Sequence, residues 1–397
     1  MSPTVIVGAG IIGCSTAFYL SESSITDAQS IHLVESSPEL FHCASGLAAG
    51  FLASDWFSSG VAPLGALSFK LHKELSEKYA GNQNQSNAAS PCGGDWLASG
   101  RSRAQASRVD DFYDGDGPAW LAKAAGSTLS VISEDNSVAQ VDPLRLSRFL
   151  LDQCLERGVH LHQPARVLSV SKDVEGALSS VRLALSDGTE SHIPCARLVI
   201  TAGAWSPSVF QSPFPASKLK IPISPLAGYS LLLKSPRWNA EHEGKGCHAV
   251  FASDSGGFSP EIFSRASGDI YIAGLNDSRM PLPALASDVK TSNDALVRLK
   301  NVAKCMLGSR EENDLVVLRE GLCFRPVTPT GEPIISSVPN QDLTDDFPTR
   351  VGDRNWVFMA AGHGPWGISL SLGTGKVLTD LIEGTDPPIN IGILALL

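Results

Sequence analysis

The chain has 397 residues, enough for two packed units at ~100–200 residues per domain. With 43% hydrophobic and 18% charged residues it has an ordinary globular composition, with ample apolar material for a core. Its 31 basic and 41 acidic residues give a net charge of −10, which argues against a polyanionic partner such as nucleic acid.

In chain order, TVIVG (4–8) reads as a buried strand ending in glycine, and IIGCSTAFYLSES as the helix after it. IHLVES (31–36) reads as a second strand, completing a β-α-β unit. GALSFKLHKELSEKYA predicts a helix at about 65–80, and the polar stretch GNQNQSNAASPCGG (81–94) a loop or insertion. Residues 143–157 predict a helix with proline near its start and Gly158 closing it. Strands follow in VHLHQ, ARVLSVSK, VRLALS and ARLVITAG. A β-rich block comes next at roughly 220–275, with GYSLLLK and DIYIAGLN its clearest members. A helix near 293–306 leads into LVVLREGLCFRPVT, and the chain closes with strand NWVFMAAG and helix ISLSLGTGKVLTDLIEG. No internal repeat is visible.

The eight cysteines (Cys14, Cys43, Cys92, Cys154, Cys195, Cys247, Cys305, Cys323) are scattered, without C-x-x-C or metal-type clustering. They read as reduced thiols of an intracellular protein, and no metal site is expected. No secretory signal precedes the first strand. The apolar tail NIGILALL is too short to span a bilayer and lacks a peroxisomal ending, so cytoplasm is the expected location, without a membrane partner.

Two stretches match the dinucleotide fingerprint G-x-G-x-x-G: GAGIIG (8–13) and GHGPWG (362–367). In the first, Gly8 allows the tight turn out of the strand and Gly10 lets backbone approach a pyrophosphate. Gly13 lets the helix pack close to the sheet, and the helix N-terminus faces the phosphates. Glu35, about twenty residues on at the end of the second strand, sits where an acid can bind both ribose hydroxyls. A nicotinamide and a flavin nucleotide share this fingerprint.

The second match differs. Pro365 has no N–H for a phosphate, Trp366 puts a large ring where close approach is required, and no strand ending in an acid follows. What remains is a helix N-terminus with free N–H groups and a positive dipole end, or a glycine-rich turn with His363 satisfied in the core.

GAGIIGCSTAFYL, CASGLAAGF (43–51), LVITAGAWS (198–206), RPVTPTGEPII and GHGPWGISLSLGTGKV occur in the order seen in FAD-dependent amine and amino-acid oxidases. The chain resembles the D-amino-acid oxidase, glycine oxidase and sarcosine oxidase superfamily from about residue 4 to 384. The resemblance implies an α/β (α+β) fold: a Rossmann-like FAD-binding domain with an inserted β-rich substrate domain. The FAD-binding part is expected at 1–80, 143–215 and 320–397, a loop or insertion at 81–142, and the substrate domain at 216–319.

It implies FAD contacts beyond Gly8, Gly10, Gly13 and Glu35. These are Ile11, Ile12 and Ser36; Ala44, Ser45, Gly46 and Ala48 near the pyrophosphate and flavin; Val167; and Thr201, Ala202, Gly203 and Trp205 beside the nucleotide. At the C-terminal end it implies Gly362, Gly364, Pro365, Trp366, Gly367 and Ile368, an anion cradle aimed at the flavin's pyrimidine edge. One nucleotide would then use both glycine motifs.

With a single nucleotide site, electrons are expected from a small amine or amino-acid substrate and to pass to O2. Hydride transfer needs orientation more than an acid or base. Arg325 in CFRPVTP is the expected carboxylate-binding fork; the alternative is a structural arginine paired with Glu320 or Glu332. Tyr229 and Tyr271, on the β-rich block, and His363 complete the candidate catalytic set. Sarcosine oxidases carry a lysine after G-H-G where this chain has PWG, so their mode of carboxylate binding is not expected here. Cys323 stands where relatives link flavin covalently. Between apolar neighbours its thiol has only Arg325 to lower its pKa, and the expectation is tight, non-covalent FAD. Two other readings of the chain are a flavin-bearing scaffold or trafficking factor, with 81–117 as partner surface, and a biosynthetic dehydrogenase acting on a larger natural product.

Overall fold

A computed structural model describes residues 2–80, 97–104, 118, 120–122, 130–133, 137–238, 247–252, 259–265, 267–308, 314–343 and 356–396. The expected loop at 81–94 and Cys92 lie outside the described residues, as does most of the suggested partner surface 81–117.

The first strand, Thr4–Val7, is buried at every residue, as its unbroken apolar run requires for the centre of a parallel sheet. It pairs in parallel with Ile31–Val34 on one side and Arg197–Ile200 on the other. His160–His162 and Val357–Ala361 extend the sheet in parallel, and Ile334–Val338 closes it antiparallel, giving six strands. Helix Ile11–Glu22 follows the first strand and is buried on most of its surface, because helices Pro143–Glu156 and Ser371–Glu383 pack against it. The contact with the last helix is close: a Cβ at Gly375 would come 2.2 Å from Ser15 Oγ. Helix Pro143–Glu156 begins as the sequence indicates. Asp142 accepts from the Leu144 and Arg145 N–H groups, Pro143 occupies the first turn, and Gly158 follows the helix end at φ 99°.

A three-stranded antiparallel sheet (Ala165–Lys172, Leu178–Leu185, Glu190–Pro194) lies in sequence between His160–His162 and Arg197–Ile200, the third and fourth parallel strands of the first sheet. The large sheet runs in the order Val316–Val327, Ser224–Lys234, Ile270–Asp277, Glu261–Ser264, Cys247–Phe251, Leu97–Ala104, Val138–Val141, Phe51–Ala53, with Ser130–Ser133 paired to Leu97–Ala104. Helix Asn293–Leu307 covers one face of it, burying Leu296, Leu299, Ala303 and Leu307.

Segment 81–142, expected as loop or insertion, therefore supplies three of these strands. Strand Val316–Val327 stays in the large sheet past residue 320, where the nucleotide domain was expected to resume. Both differences have one cause: strand pairing is set by distant partners, not by local polarity. The described cysteines Cys14, Cys43, Cys154, Cys195, Cys247, Cys305 and Cys323 are free thiols. Among the described residues no helix is long and apolar enough to cross a membrane.

Candidate active site

A cavity of about 840 Å³ runs from the end of the second strand to the face of the large sheet. At its first end, Gly8 leaves the strand at φ 105°, and a Cβ there would meet the Thr201 carbonyl oxygen at 2.8 Å. Gly13 holds the helix so close that a Cβ would fall 2.0 Å from the Gly8 carbonyl oxygen. It packs behind the turn and does not line the cavity, whereas Gly8, Gly10, Ile11 and Ile12 do. The Ile11 N–H donates to Ser45 Oγ at 2.9 Å. Ile12 and Gly13 N–H, in the first helical turn, have no acceptor among the described residues.

Glu35 accepts from Ala9 N–H at 3.0 Å on one carboxylate oxygen and from Ser37 N–H at 2.8 Å on the other. Burial pushes its carboxyl up, and the amide bonds oppose the shift. Each oxygen keeps a lone pair for a hydroxyl donor, which is the donor set a ribose presents. Ser36, Ala44, Ser45, Ala48, Val167, Thr201, Ala202, Gly203 and Trp205 line the same cavity. Thr201 Oγ1 donates to the Gly8 carbonyl at 2.9 Å and Trp205 Nε1 to Pro283 O at 2.7 Å, so both side chains are fixed. A Cβ at Gly203, φ 53°, would meet nothing within 4 Å, so its side-chain direction opens into space. A ribose acceptor, unspent amides at a helix start and glycine-lined backbone fit a dinucleotide.

At the far end the second glycine motif forms a tight 3-10 turn, Gly364–Trp366, and the α-helix begins only at Ser371. The expected helix N-terminus is thus displaced by several residues from the motif, because Pro365 and the left-handed Gly364 (φ 55°) suit a turn. Gly364, Pro365, Gly367 and Ile368 line the cavity; Gly362 does not, nor does Gly46. Trp366 also turns away, its ring edge-on to Phe57 at 4.9 Å. His363 faces the cavity and is fully satisfied on one side, with Nε2 3.0 Å from Thr374 Oγ1. Burial lowers its pKa to about 4, so the ring is neutral at neutral pH.

The large sheet supplies the last wall. Cys323, Arg325 and Tyr271 face the cavity. Tyr229 does not: its hydroxyl accepts from Ser292 N–H at 3.2 Å, within the apolar cluster under helix Asn293–Leu307. Side chains alternate along a strand, and the neighbouring Gly228 takes the cavity side. Arg325 Nη1 donates to Asn276 Oδ1 at 2.7 Å. Glu320 instead pairs with Lys300 at 2.6 Å and Glu332 with Ser58 Oγ at 3.2 Å, so neither acid holds Arg325. Burial pushes the Cys323 thiol up, and Arg325 and Arg319 oppose it without an ion pair. A thiol raised in this way is a poor nucleophile.

Several cavity or supporting groups gave no sequence signal. Asn276 and Glu261 come from separate strands of the large sheet. Two arginines, the half-buried Arg319 of that sheet and the buried Arg265 just after strand Glu261–Ser264, bind backbone carbonyls at 46–49. Arg319 Nη1 donates to Gly46 O at 3.1 Å, and Arg265 Nη2 to Ala48 O at 3.1 Å.

Residues 4–381 match the DAO family, described as FAD dependent oxidoreductase. The chain belongs to that family. FAD is its cofactor, and it is an enzyme of the oxidoreductase class. A Schizosaccharomyces pombe protein named as an oxidoreductase, C1F5.03c, is 27% identical over 410 residues, covering 98% of this chain and 96% of its own. Among solved structures, glycine oxidase from Geobacillus kaustophilus superposes with TM-score 0.72 at 20% identity, covering 100% of this chain and 98% of its own. L-amino acid deaminase from Proteus vulgaris gives TM-score 0.73 at 15% identity, with 100% and 96% covered. These likenesses establish the DAO fold.

Proposed function

We propose that this DAO-family chain oxidises the C–N bond of a small amino acid to an imine and passes the electrons to O2, giving hydrogen peroxide. The observation that carries the reading is Arg325, which faces the cavity with one of its five N–H donors spent on Asn276. A guanidinium held by a neutral amide keeps its charge and its fork for a carboxylate. Bound FAD would supply the two-electron acceptor for the hydrogen on the substrate's α-carbon.

The chain's own residues bind and orient. Arg325 fixes the carboxylate end, Tyr271 and Cys323 wall the site, and the neutral His363 ring contributes no charge there. As the α-hydrogen leaves with its electron pair, the amine nitrogen's lone pair forms the C=N bond, so a nitrogen that binds as ammonium must first give its proton to water. The fold neighbours, named glycine oxidase and L-amino acid deaminase, fit the same substrate class. Purified holoprotein given amino acids in air should form hydrogen peroxide and keto acid or aldehyde in equal amounts. Carbonyl product without peroxide would replace O2 by another acceptor; no product from any amino acid would overturn the reading.

A further inference from the structure

Arg325 is not the only ionisable group on its wall. Glu261 opens strand Glu261–Ser264 and faces the same cavity. Burial pushes its carboxyl up, and Arg325 is the charge that opposes the shift. Among the described residues Glu261 has neither a hydrogen-bond donor nor an ion-pair partner, and it stands beyond ion-pair distance of Arg325.

The sheet register explains how the two come to share a face. Gly228 lies opposite both Cys323 and Asn276, and a Cβ on it would stand 3.3 Å from Arg325 Cζ. The guanidinium therefore lies over a strand with no side chain at that point and reaches Asn276 beyond it. In strand Ile270–Asp277 a bulge opposite the Tyr229–Ser230 step skips Gly274, so that Ala273 and Asn276, three apart, face the same side. Ala273 is opposite Glu261. Arg325 and Glu261 thus stand at the two sides of a floor made of Gly228 and Ala273, where larger side chains would fill the space between them.

A carboxylate in a largely buried wall is costly unless something cationic meets it. We infer that Glu261 is the counter-ion for a positively charged nitrogen of the substrate, held opposite Arg325, so that the cavity selects zwitterions over simple carboxylates. This rests on the reading of Arg325 as the carboxylate site. The two are separable, because each charge can be probed alone.

Three ligands of one shape do so: 2-aminoisobutyrate, pivalate and tert-butylammonium. None has a hydrogen on the carbon bearing nitrogen or carboxylate, so none is oxidised there. Calorimetric titration of the holoprotein should show 2-aminoisobutyrate binding at least tenfold tighter than pivalate. Glu261→Gln should abolish that preference while leaving pivalate as tight or tighter, and Glu261→Asp, which keeps the charge, should restore part of it. Pivalate and 2-aminoisobutyrate binding equally, or a preference that survives Glu261→Gln, would overturn the inference and leave the carboxylate reading standing. Binding of tert-butylammonium lost in Glu261→Gln, with neither carboxylate bound, would uphold Glu261 and overturn Arg325. Binding of none of the three would overturn both.

Discussion

The two ends of the cavity are built in opposite ways. At the proposed nucleotide end the chemistry is in the backbone: a turn at Gly8, a helix start at Ile11, and one acid, Glu35, held by two amides. These parts lie within one β-α-β unit, so their spacing is a local property. At the proposed substrate end the chemistry is in side chains, and Arg325, Asn276 and Glu261 come from three strands whose contacts depend on register and on one bulge. The first kind of site tolerates few changes in backbone space. The second tolerates few changes in charge or shape.

That contrast orders the expected effects. Gly10→Val should be the most damaging, because a Cβ there already comes 3.0 Å from Ser45 Oγ and the branches beyond it would enter the cavity. The variant should be isolated without flavin absorbance; a fully flavinated Gly10→Val protein would refute the backbone account of that end. Arg325→Lys should keep FAD but lose turnover by about two decades, since a point charge cannot replace a planar fork. Steady-state kinetics with equal flavin content would show it, and unchanged kcat/KM would make Arg325 structural. Glu35→Ala should weaken FAD by about one to two decades, as charge-assisted bonds to hydroxyls are worth roughly 1.5–3 kcal/mol. Titration of the apoprotein with FAD measures this, and an unchanged affinity would remove Glu35 from the ribose.

The smallest effect is on acid stability, and only part of it falls at the far end of the cavity, since burial also lowers the pKa of His32, on the second parallel strand, to about 4. Burial lowers the pKa of His72 and of His363 to about 4, whereas each would titrate near 6.5 in the unfolded chain. His72 Nε2 lies 3.1 Å from the carbonyl of Ile368 in the turn that lines the cavity. Below pH 6.5 the unfolded state binds more protons, so the stability present above that pH is lost progressively down to about pH 4. Melting temperature should be flat above pH 7 and fall by on the order of several degrees by pH 5. His72→Gln should flatten that fall, and an unchanged slope would place the acid sensitivity elsewhere.

The same contrast explains what the sequence disclosed. The parallel-sheet core, the starts of helices Ile11–Glu22 and Pro143–Glu156 and the glycine turn were legible because each rests on a pattern within a few residues: an apolar run, a proline in the first helical turn, a glycine where φ turns positive. Glu35 and Ser45 were placed by motif and resemblance, and the structure brings both to the cavity edge. The wall of the large sheet was not legible. Tyr229 and Gly228 are neighbours facing opposite sides, and nothing in GYSLLLK sets the phase of that alternation. Asn276 reaches Arg325 only because a bulge shifts its strand, and Glu261 begins a four-residue strand too short to show a period. The strands within 97–104 and 138–141 were hidden for the same reason, since their partners lie far along the chain.

We propose that one cavity holds FAD at one end and an amino acid's carboxylate on Arg325 at the other. The decisive experiment mixes holoprotein without oxygen with an amino acid and, separately, with the amine left when its carboxylate is removed. Flavin absorbance near 450 nm should bleach with the amino acid about a hundredfold faster than with the matched amine, for at least one pair in a broad panel. Equal bleaching by acid and amine, or none with any pair, would contradict the account.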